Sequence, residues 1–91
     1  MGVFVVERYL AGWDPREVDA LVELVAQHAD EFRARGVHYL RSIVLAADET
    51  CLCLFEGSDA ETIRCANQDA SLPVHRVVPA TMTVEVEELA P

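Results

Sequence analysis

All three cysteines of the chain fall in one short stretch, "CLCLFEGSDAETIRCAN", from Cys51 to Asn67. Thiols so placed suit a metal site, a redox pair, or packing as small hydrophobes. A single leucine separates Cys51 from Cys53. In an extended strand both would point to one face with Cα atoms about 6.5–7 Å apart. That is the outer limit for a disulfide, so a bond here would need the strand to buckle. Tetrahedral zinc needs two further converging ligands, and the chain has no CxxC or HxxxH knuckle. Packing as small hydrophobes is how free cysteine ordinarily behaves, and it is the favoured reading of this pair. Cys65 lies about 200° around a helix from Ile63, at about 100° per residue. It should face away from the core and react with alkylating reagents.

Other side chains could join a site. His38 opens a strand and could act as a ligand or general base, with Glu7 or Tyr9 beside it. Glu7 and Arg8 interrupt an apolar strand, and adjacent strand positions face opposite sides. One of the two charges must therefore point inward and find a partner, with Arg41 and Glu56 as candidates. The simplest outcome is a structural salt bridge; the sharper one is an anchor for a polar ligand. His28 and His75 read as surface residues. The chain contains no Gly-rich phosphate loop, no nucleophile elbow and no paired carboxylates at a defined spacing.

These residues need a frame, and hydropathy patterning supplies one. "VFVVERYL" reads as a first strand. Asp14, Pro15 and Glu17 announce a helix: an N-cap, a proline at the first helical position, and capping-box spacing. Val18, Leu21, Val22, Val25, Ala29 and Phe32 then form one apolar stripe, predicting a single long amphipathic helix closed near Gly36. "VHYLRSIVLA" and "CLCLFEG" predict a hairpin. A loop of two or four residues would place His38, Leu40, Ser42 and Val44 on the face of Cys51, Cys53 and Phe55; an odd loop would put them on opposite faces. Ser58 and Glu61 predict a second capping box, and Ala60, Ile63, Asn67 and Ala70 the inward face of the helix it starts. Pro73 ends that helix. A last strand lies within "HRVVPATMTVEVEEL", where Pro79 marks an edge or a bulge and Glu85, Glu87 and Glu88 a solvated end. The order β-α-β-β-α-β is ferredoxin-like: α+β, a four-stranded antiparallel sheet with two helices on one face, one domain over residues 1–91. The other sheet face is too apolar for open water, which predicts a homodimer paired as an α+β barrel.

With 16 acidic against 7 basic side chains the net charge is −9, which disfavours nucleic acid and anionic membranes as partners. No signal peptide or membrane-spanning run is read, and an odd number of cysteines fits a reducing, cytoplasmic setting.

The Glu7-Arg8 end of strand one, Gly36-Val37-His38, Cys53, Glu56 and Leu72-Pro73-Val74 together resemble a family of small bacterial proteins. That family has long been carried as a domain of unknown function, and its structural type member is a nickel-binding protein. The resemblance covers about residues 3 to 84 and implies a ferredoxin-like fold, a dimeric α+β barrel and possible binding of nickel or another divalent transition metal, with His38 and Cys53 at matching ligand positions. It also implies histidines where this chain has Arg8, Tyr9 and Asn67. Nickel favours nitrogen donors, and a guanidinium repels a cation, so the fold carries over better than the metal.

Two functions stay open. One is a small-ligand- or metal-binding dimer, with Glu7, Arg8, Tyr9, His38 and Asn67 as ligand contacts. The other is a small cofactor-free enzyme of cyclase, isomerase or monooxygenase type, acting on an apolar natural product in the barrel cavity; that reading is fold-level analogy.

Overall fold

In the computed structural model, which describes residues 1–83, eight residues of β1 (Gly2–Tyr9) form a central strand. β3 (Thr50–Gly57) flanks it on one side and β4 (Arg76–Ala80) on the other, both antiparallel. β2 (His38–Leu45) pairs with β3, so the sheet runs β2-β3-β1-β4, as a ferredoxin-like fold requires. Pro79 lies in β4, an edge strand, where a missing N–H costs no ladder bond on the open side. The acidic end with Glu85, Glu87 and Glu88 lies outside the described residues.

One sheet face is packed. Val6, Cys51, Cys53, Phe55 and Val77 share a core with Leu21, Val25, Phe32, Ile63 and Ala66 from the helices. Phe32 meets Phe55 edge-on, with ring centroids 5.2 Å apart.

The first helix starts as its sequence dictates. Asp14 caps it, its carboxylate accepting from the N–H groups of Arg16 and Glu17, while Glu17 reaches back to the N–H of Asp14. The long helix is nevertheless broken. α1 (Pro15–Gln27) ends at His28, and a short α2 (Ala29–Ala34) follows. At the break His28 takes φ −90° and ψ 5°, its N–H is shared between the carbonyls of Leu24 and Val25, and its Nδ1 lies 3.0 Å from the same Leu24 carbonyl. The apolar stripe survives the break, with Leu21, Val25 and Phe32 all buried. Gly36 then takes the left-handed conformation (φ 78°), and the N–H of Val37 returns to the carbonyl of Phe32.

α3 (Ala60–Asp69) is capped by Asp59, which accepts from the N–H of Thr62, rather than by the expected Ser58–Glu61 box. Aspartate caps a helix as well as serine does, so the cap can fall one residue further along. Ile63, Ala66 and Asn67 form its buried face.

The hairpin loop has four residues, Ala46 to Glu49, and Ser42 and Val44 stand opposite Cys53 and Cys51 as that length predicts. A bulge between Tyr39 and Arg41 then shifts the register by one. Tyr39, not His38, turns to the core, packing its ring 5.4 Å from that of Phe55. His38 pairs with Glu56 on the outer face.

Candidate functional site

Arg8 is wholly buried, the largest side chain in the interior. Strand alternation puts it on the helix-facing side, directly beneath α3 and the loop that follows. Its guanidinium meets three partners. Nη1 donates to the carbonyl of Pro73 at 2.8 Å, Nη2 to Oδ1 of Asn67 at 2.6 Å, and Nε to Sγ of Cys53 at 3.3 Å. Asn67 is itself fully buried and donates its amide to the carbonyl of Ile63, one turn earlier in α3. Among the described residues, no carboxylate contacts Arg8 and no buried side-chain nitrogen or oxygen lacks a partner.

A buried guanidinium needs negative charge nearby. Cys53 is placed to supply it, because three hydrogen-bonding groups converge on its sulfur. Cys51 lies at 3.8 Å, Ser42 Oγ at 3.1 Å, and Arg8 Nε completes the set. The hydroxyl of Tyr39 stands 2.6 Å behind Ser42 Oγ and can donate to it in turn. The Cys51 hydrogen bond, working against burial and helped by Arg8 and Ser42, brings the Cys53 thiol down to about 6. Cys51 moves the other way: donating to Cys53 and being buried hold its proton on. Burial likewise raises Tyr39. The arrangement favours a thiolate at Cys53 beside the guanidinium and holds the proton on Cys51, and both cysteines remain free of a disulfide.

The remaining candidates do not join this cluster. Glu7 points to the outer face and pairs with Arg76 at 2.9 Å, so neither Arg41 nor Glu56 is the partner of Glu7 or Arg8. Tyr9 is exposed, with its ring 5.9 Å from that of His75. His38 is also exposed and stands level with Val3, four residues along the sheet from Glu7, or about 13 Å at 3.3 Å per residue. Glu7, Tyr9 and His38 thus do not assemble as an acid–base group. His38 and Cys53 do not meet either, since the bulge in β2 leaves them on opposite faces. No cluster of three or more His, Cys, Asp or Glu side chains suited to a metal ion occurs among the described residues.

Sequence reasoning did not find Ser42, Tyr39 or the Pro73 carbonyl as parts of the centre. Strand alternation carried one usable signal, that Arg8 shares a face with Val6 in an apolar strand. Cys65 lies half-buried on α3 and donates to Glu61, which raises its pKa.

The fold and this centre define a ferredoxin-like α+β domain with a polar knot between sheet and helices. The chain belongs to the SCO4226-like family of nickel responsive proteins, whose pattern matches residues 4–79. Its fold is similar to the crystal structure of SCO4226 from Streptomyces coelicolor A3(2), with a TM-score of 0.68 at 17% identity, covering 90% of this chain and 99% of that one. Comparison with curated protein sequences finds no match. No described helix is long and apolar enough to cross a membrane.

Proposed function

We propose that this chain is a non-catalytic, ligand-binding homodimer of its family in which the Arg8 cluster stands in place of a nickel centre. The observation that carries this is the contact between Arg8 and Asn67, two of the positions at which the family resemblance implies histidine. A guanidinium held there engages the amide oxygen and the thiolate that a cation would need. Its fixed charge also repels a divalent ion. Nickel equilibrium dialysis on untagged protein, read by elemental analysis, tests the reading. Well under one nickel per chain is expected, and Arg8→His with Asn67→His should raise the uptake. Stoichiometric nickel in the natural chain, lost in Cys53→Ala, would overturn it.

The dimer rests on the outer sheet face. Ile43 is 43% exposed there, beside half-buried Val5, Leu52 and Val78. Pairing two such faces removes this apolar surface from water. Light scattering should give twice the chain mass at micromolar concentration; a clean monomer mass would contradict the pairing.

A further inference from the structure

We propose that the groove between the start of α1 and the β2–β3 hairpin binds a small organic cation with an apolar tail. The inference deepens the ligand-binding reading above and rests on it, naming a ligand class and a place. The groove has a volume of about 250 Å³ and is walled by Leu10, Val18, Val44 and Leu45. Trp13 also lines it and is 40% exposed, an indole left half open to water. Such a cavity is small for a drug-sized ligand and suited to a short chain or a single ring.

Charge selects the occupant. Asp19 and Glu49 both line the groove, and among the described residues no arginine does. Neither carboxylate takes part in an ion pair among the described residues. Glu49 is fixed rather than free to swing. Its carbonyl accepts from the N–H of Leu10 at 2.8 Å, its Oε2 accepts from the N–H of Gly12 at 3.1 Å, and its backbone is left-handed (φ 51°). An anion would be repelled by both carboxylates and by the net charge of −9. A neutral tail would use only the apolar wall. An ammonium group uses everything present: the two lining carboxylates, the Trp13 indole for a cation–π contact, and the aliphatic wall for its tail.

Trp13 is the only tryptophan, so its fluorescence reports on the groove directly. The probe is n-hexylammonium, compared at low ionic strength with hexanol and hexanoate, which share the tail and differ in charge. Saturable change with hexylammonium and binding of hexanol weaker by about tenfold or more are expected, from a cation–π contact plus two exposed ion pairs. Asp19→Asn combined with Glu49→Gln, which keeps an acceptor for Gly12, should weaken the ammonium by about threefold or more, the share of the two ion pairs, while preserving the circular dichroism spectrum. Equal response to hexanol, no saturable response to hexylammonium, or unchanged affinity in the double variant would each overturn the groove. Neither substitution touches the Arg8 cluster, so nickel dialysis reports on that reading separately.

Discussion

Nη2 of Arg8 donates to Oδ1 of Asn67 across 2.6 Å, joining positions 59 residues apart in the chain. Strand one and the second half of the fold are tied at that point, and the same guanidinium reaches the Pro73 carbonyl in the loop beyond. This gives the Leu72-Pro73-Val74 segment a physical role. Leu72 is buried in the core, its N–H bonds to the carbonyl of Asn67, and the next carbonyl anchors Arg8.

Removing Arg8 should therefore be severe. Arg8→Ala leaves a cavity, an unpaired thiolate and two buried acceptors, and breaking one side of a buried charge pair costs about 3–5 kcal/mol. Arg8→Lys keeps the charge but cannot reach all three partners, so its loss should be smaller, about 1–3 kcal/mol. Urea unfolding measures both. Equal stability of Arg8→Ala and the natural chain would contradict the role given to the cluster.

Stability should also depend on pH through Cys53. Its folded pKa of about 6 lies below the unfolded value of about 8.5. A depressed pKa contributes stability that is complete above the unfolded value, declines as pH falls, and is gone once pH passes below the folded value. Urea midpoints should therefore fall between pH 8 and pH 6, more steeply in the natural chain than in Cys53→Ala. Parallel pH profiles would remove the thiolate from the account.

The thiols should differ in reactivity. Cys51 and Cys53 are fully buried, whereas Cys65 is partly exposed and held back by its bond to Glu61. One thiol per chain should react with an aromatic disulfide reagent under native conditions and three in denaturant, and Glu61→Gln should speed the first. Rapid native reaction at Cys51 or Cys53 would show that the centre opens readily.

Asp14→Ala should cost about 1 kcal/mol, within the usual range for an N-cap, because it leaves the N–H groups of Arg16 and Glu17 without their acceptor. Thermal unfolding would detect it, and an unchanged midpoint would mean that tertiary packing alone holds α1.

Element order, sheet pairing and the first helix cap were legible in the sequence because each rests on local chemistry or on hydropathy period. Asp14, Pro15 and Glu17 need nothing beyond their own turn. The break at His28 was hidden because an apolar stripe continues through it and the backbone bonds to Leu24 and from Phe32 persist across it. His38 was misplaced for a related reason. A loop length sets register only until a bulge intervenes, and nothing in "VHYLRSIV" announces the irregularity between Tyr39 and Arg41. At the centre, alternation predicted that either Glu7 or Arg8 must turn inward. Which partners it would meet depended on α3 and the Pro73 loop arriving from far along the chain, and sequence spacing carries no record of that approach.

The central claim is that Cys53 is the buried counter-ion of Arg8, and thiolate absorbance in the ultraviolet as a function of pH tests it most directly. The account predicts one thiolate per folded chain appearing with a midpoint near pH 6 and absent from Cys53→Ala. Thiolate absorbance that rises only above about pH 8, as for ordinary cysteine, would contradict it.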